Sequence, residues 1–156
     1  MKPELTNPFT KSLSNTFASL LGLDVQVGMT TGSWGKSAEI SAIVGLSGKL
    51  VGTMVLGFSE QLAVKATESM LLLPTDGIND DVVDAVGDIA TAVANAVKGE
   101  LNHYEFFASL PCVVTGRLHR LRFPSNIAAL ALPCQTAWGP LLMEVGLAPI
   151  PQLAST

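Results

Sequence analysis

Residues 79–104, NDDVVDAVGDIATAVANAVKGELNHY, constrain this chain more than any other stretch. Val82, Val86, Ile89, Val93 and Val97 recur at spacings of four, three, four and four. At about 100° per residue they gather into one stripe, the mark of an amphipathic helix. Val83, Ala90 and Leu101 widen one edge. On the opposite side Asp84, Asp88, Thr91, Asn95, Lys98 and Asn102 fall within an arc of about 80°. A helix with one apolar stripe must bury it against another layer. Its polar side is also the one place where candidate chemical groups are concentrated by geometry.

The flanking sequence supplies that layer. Thr6, Asn7 and Pro8 predict a helix start, and Phe9, Leu13, Phe17, Leu20 and Leu21 form its stripe before Gly22 stops it. Val25 to Thr31 alternates weakly as a strand, interrupted by Thr31-Gly32-Ser33-Trp34-Gly35-Lys36. Trp34 reads either as a cap on the core edge or as a binding side chain. From Glu39 to Phe58 two β-rich runs flank Leu46-Ser47-Gly48-Lys49, which predicts a hairpin with Gly48 in the turn. Ser59 is a good N-cap for a second helix over 60–72, broken by Pro74-Thr75-Asp76-Gly77. After the long helix, Leu110 to Leu121 predicts a strand starting near Pro111, with Gly116 marking a bulge. Ile127 to Leu132 and Leu141 to Leu147 predict two more strands, joined through 133–140.

This order gives an α+β fold, a largely antiparallel sheet with long helices packed on it. At 156 residues it fits one domain over 1–156, with 1–5 and 149–156 as frayed tails. The two hairpin regions also resemble each other at an offset of 87 residues, Ile40 with Ile127, Gly52 with Gly139, Met54 with Leu141 and Leu56 with Met143. That match, though weak, points to two related halves about a pseudo-twofold axis.

Several function classes lose support. Charged residues are only 14%, the formal charge is −4, and no Lys/Arg run is present, so neither nucleic acid nor a membrane is expected as a partner. The first residues lack the apolar core of a signal peptide, and with no bilayer-spanning run the expectation is a cytoplasmic protein. Cys112 and Cys134 form no disulfide framework and no zinc spacing. His103 and His119 have no nucleophile or acid at a telling spacing, and there is no phosphate-binding glycine loop. Asp76, Asp80, Asp81 and Asp84 could be imagined around an ion, but acids in a first helical turn ordinarily answer the helix dipole. No metal or cofactor is expected on this chain. Arg117, His119, Arg120 and Arg122 read as a solvated strand edge.

The polar face of the long helix remains. The order Asp84-x3-Asp88-x2-Thr91, followed by Asn95 and Lys98, resembles the signature helix of the CheC/CheX/FliY chemotaxis phosphatases. That family carries Asp or Ser, then Glu after three residues, then Asn after two more, with a proline further along. Gly48-Lys49-Leu50-Val51-Gly52 is similar to its first hairpin, Leu110 to Gly116 to its strand after the helix with Pro111 as the downstream proline, and Phe123-Pro124-Ser125 with Gln135-Thr136-x-x-Gly139 to its closing hairpin. The likeness runs from about residue 5 to 148. A single signature helix brings it nearer to CheX than to CheC.

The resemblance implies an activity, hydrolysis of the aspartyl phosphate on a CheY-like receiver domain, which would carry its own Mg²⁺. It assigns Asp88 and Thr91 as catalytic and Asp84, Asn95 and Lys98 as partner-binding, and it implies a homodimer. The sequence departs from the family at both catalytic positions, with Asp88 where Glu is expected and Thr91 where Asn is expected. Asp88 is one methylene short, and the hydroxyl of Thr91 can turn back onto the Gly87 carbonyl. A relative that binds a receiver without hydrolysis, or acts as a dimeric scaffold, therefore stands as the alternative. A small-ligand sensor built around Trp34 and Trp138 is a third reading.

Overall fold

The structure is a computed structural model, and its described residues are 1–28, 38–118, 123–124 and 126–150. Trp34, His119, Arg120 and Arg122 lie outside them. Helix α1 (Pro3–Leu21) begins before the predicted start, because Pro3 takes the first-turn position that needs no amide hydrogen. Pro8 lies inside this helix. Its stripe of Phe9, Leu13, Phe17 and Leu21 is buried, and Gly22, at φ 60°, ends it with its N–H on the Ala18 carbonyl.

The chain continues through strands β1 (Gln26–Val27), β2 (Ala38–Ser47) and β3 (Leu50–Phe58), then helices α2 (Glu60–Leu71) and α3 (Asp80–Glu100). After a 3-10 turn at Asn102–Tyr104 come β4 (Phe107–Ala108), β5 (Cys112–Leu118), β6 (Ala128–Thr136) and β7 (Gly139–Pro149). Among the described residues the strands form one antiparallel sheet in the order β1-β6-β7-β3-β2, with β4 and β5 both pairing to β2.

Alternation along the strands decides which face is covered. Ile40, Ala42, Val44 and Leu46 of β2 share one core with Met54, Leu56 and Phe58 of β3 and with Leu141, Met143, Val145 and Leu147 of β7. The buried stripes of the three helices join the same core. The fold is therefore α+β, with the helices laid on an antiparallel sheet.

The predicted connector over 133–140 is instead two strand ends and a tight turn, since β6 runs to Thr136 and β7 starts at Gly139. Pro133 sits inside β6 opposite Leu142, where its carbonyl accepts from Gly28. Proline's missing donor is tolerated near a sheet edge, and among the described residues only the two of β1 lie beyond β6. Gly116 has φ 95°, and the β2–β5 register shifts beside it, so the predicted bulge is present.

Sheet order gives the internal repeat a definite form. Exchanging β1 with β5, β2 with β6 and β3 with β7 returns the same order reversed. Leu56 pairs directly with Met143, so the local axis passes between them. The offset of 87 is taken along β3 and β7. The outer strands slip by three, for Phe58 pairs with Ile40 while Val145 pairs with Leu130, which makes Leu130 and not Ile127 the counterpart of Ile40.

The solvent face of helix α3 as candidate functional site

Local chemistry fixes α3 at its start. The Asn79 side chain accepts from the Val82 amide at 3.1 Å, which satisfies an otherwise orphaned donor. Asp80 and Asp81 occupy the first turn and Lys98 the last, each on the side the helix dipole favours. Val82, Val86, Ile89, Val93 and Val97 are fully buried, with Ala85, Ala90 and Ala94 beside them where α1 and α2 pack. Burying a side chain of this kind contributes roughly 1.5–3 kcal/mol, so the stripe fixes the rotation of α3 about its axis.

That rotation sends Asp84, Asp88, Thr91 and Asn95 to solvent, with Lys98 half-buried on the same side. All five predicted site residues therefore share one helical face. Among the described residues the side chains of Asp84, Asp88 and Asn95 have no ion-pair or hydrogen-bond partner. Thr91 has one, since its hydroxyl donates to the Gly87 carbonyl at 3.0 Å. The hydrogen is thereby committed, and the remaining lone pairs of Oγ1 are left as acceptors.

Gly87 lies one residue before Asp88, on the buried side. A Cβ placed there would lie 3.5 Å from the Pro111 ring and 3.6 Å from Val113. The start of β5 thus packs directly against the segment of α3 that carries Asp88 and Thr91. The sequence marked Pro111 as a strand start and as the family's downstream proline but not its contact with Gly87, because periodicity cannot show that a strand will cross a helix at one glycine.

The other candidates fall away from chemistry. Asp76 and Asp80 are exposed, and among the described residues no three His, Cys, Asp or Glu side chains gather as metal ligands. His103 is exposed and lies tilted against Tyr104, the ring centroids 4.3 Å apart. Trp138 packs on the core in the β6–β7 turn, its amide donating to Thr136 Oγ1. Cys134 is buried, which pushes its thiol up to about 11 and leaves it inert. Cys112 is exposed and free. No helix among the described residues is long and apolar enough to cross a membrane.

What α3 presents is a rigid face with a free carboxylate and an acceptor oxygen three residues on. Such a face can pair with a cation and hold a water by one of its hydrogens.

Comparison with known proteins bears on the family and the fold. Residues 40–135, which include α3 and the start of β5, match the family model of the chemotaxis phosphatase CheX. No curated protein sequence matches significantly. The chemotaxis protein CheX of Vibrio vulnificus superposes with a TM-score of 0.82 at 26% identity, covering 92% of this chain and 96% of that one. A CheC-like superfamily protein of a Shewanella species, strain PV-4, gives 0.84 at 25% identity, over 95% and 99%. The CheX–CheY–BeF3–Mg²⁺ complex of Borrelia burgdorferi matches at 0.77 and 16% identity, over 91% and 96%, and shares the fold. With its family model matched across most of the core and its architecture shared end to end, the chain belongs to the CheX chemotaxis phosphatase family.

Proposed function

We propose that this protein hydrolyses the aspartyl phosphate of a CheY-like receiver domain. The observation that carries the reading is Asp88, without a partner among the described residues, on the exposed face of α3, three residues before the acceptor-only hydroxyl of Thr91. Asp88 docks against the receiver's lysine. Thr91 Oγ1 accepts one hydrogen of a water, which turns a lone pair of the water oxygen toward phosphorus. The water oxygen then bonds to phosphorus as the bond to the receiver's aspartate oxygen breaks. The carboxylate leaves with the electron pair, and the water's proton ends on inorganic phosphate. An acyl phosphate is reactive already, so alignment is the main contribution asked of the helix.

Asp84, Asn95 and Lys98 surround that pair as docking contacts. In this reading Mg²⁺ is held by the receiver; the Borrelia complex of CheX with CheY also contains Mg²⁺. The reading also places the protein in the cytoplasm as a homodimer.

A second reading is favoured by one bond. The Thr91–Gly87 contact draws the hydroxyl in toward the helix, which shortens a reach already less than that of Asn. A misplacement of ~1 Å can cost ~10²-fold in rate, which would leave a module that docks on a receiver without hydrolysis. Decay of a phosphorylated receiver from the same genome, followed with and without the protein, separates the two. Acceleration at substoichiometric protein supports the phosphatase. Unchanged decay with every such receiver removes it, and co-sedimentation or titration then tests the docking reading.

A further inference from the structure

The turn between α2 and α3 displays what a folded chain ordinarily hides. Leu71 is 44% exposed, Leu72 85% and Leu73 63%. Leu72 also closes α2 in the left-handed region, at φ 57° and ψ 32°. That conformation suits glycine and is strained for a leucine. The turn is nonetheless well held: the Thr75 amide donates to Glu68 Oε2 at 3.0 Å, Ile78 packs on the core, and Asn79 caps α3. Three leucines therefore stand on a fixed support, immediately ahead of the helix that carries Asp88.

We infer that Leu72 and Leu73 form the apolar anchor of the receiver-docking surface, next to the polar face of α3. The inference rests on the reading of α3 as the docking helix, and it commits to the receiver as occupant for two reasons. One is continuity, because the leucines lead through a short, pinned turn into α3, and an interface of ordinary size takes in about 20–30 residues a side. The other is charge. The segment 76–88 that follows the leucines holds five Asp and no Lys or Arg, so a second copy of this chain would bring like charge to the same place. A partner with a cationic site and a neighbouring apolar socket fits both halves. Central apolar anchors give affinity, whereas charges at the edge mainly steer encounter.

Titration of the full chain with a CheY-type receiver from the same genome, activated by beryllofluoride and Mg²⁺, tests this without requiring turnover. Leu72→Ser with Leu73→Ser should weaken binding at least about tenfold and leave the melting temperature within a degree or two. Leu72→Gly should weaken binding while raising the melting temperature by about 2–4 °C, since glycine relieves the left-handed strain. If both variants bind within twofold of wild type while Asp88→Ala weakens binding, the anchor is wrong and the α3 reading stands. If the double variant turns a wild-type dimer into a monomer at unchanged receiver affinity, the leucines belong to a second copy and the inference is overturned. If no receiver binds the wild type, the inference and the docking reading fall together.

Discussion

Thr91 donates its hydrogen to the Gly87 carbonyl, and that one bond sets what the residue can do for a water molecule. Held this way it accepts and cannot donate. A carboxamide would offer an acceptor oxygen further out, and a glutamate at 88 would reach one methylene further than Asp88. Replacing both residues, Asp88→Glu with Thr91→Asn, should raise receiver dephosphorylation by up to ~10²-fold, read as kcat with KM nearly fixed. An increase confined to KM would place the shortfall in docking instead. The back-bond was foreseeable from the sequence, since a threonine inside a helix has few other partners. The packing of Pro111 beside Gly87 was not legible, since the contact spans elements far apart in sequence.

Cys134 makes a separate residue-scale prediction. Burial pushes its thiol up to about 11. A group whose folded pKa is raised contributes stability that is complete below the unfolded value and lost as pH climbs through the folded one. Melting temperature should therefore fall between about pH 9 and pH 11, and Cys134→Ala should show a smaller fall over that window. An equal fall in both proteins would assign it to other groups.

At the scale of elements, α3 depends on its cap and its stripe. Asn79→Ala removes the acceptor for the Val82 amide and should cost about 1 kcal/mol. Ile89→Ala opens a cavity at a fully buried position and should cost about 2–5 kcal/mol. Denaturant midpoints check both. These features were readable in the sequence because a period near 3.6 over five turns has no other reading, and the β2–β3 hairpin was readable from its β-rich runs around Gly48. What escaped were β4, a two-residue strand without periodicity, and the true extent of β6, where Pro133 read as a break. In both cases pairing with distant strands decides the structure, and no local pattern carries that information.

Across the whole molecule, the twofold exchange makes α1 the counterpart of α3, yet the two helices present different chemistry. The exposed side of α1 carries Asn7, Lys11 and Asn15, and Lys11 pairs with Glu100 at 3.2 Å. A lysine there has the wrong sign to meet a receiver's lysine, so under the proposed function only the α3 face would dock. The sequence suggested this symmetry through one offset, and sheet order supplied the slip of three in the outer strands. The expected homodimer should give about twice the 16.3 kDa chain mass by light scattering, and 16.3 kDa alone at micromolar concentration would contradict it. The account as a whole turns on α3 acting through Thr91. Its most direct test is the single-turnover decay of a phosphorylated receiver with wild type and with Thr91→Val, which keeps the shape and removes the acceptor oxygen. The expected result is acceleration by wild type and decay at the receiver's own rate with Thr91→Val, at equal receiver affinity. Equal acceleration by both proteins would contradict the account.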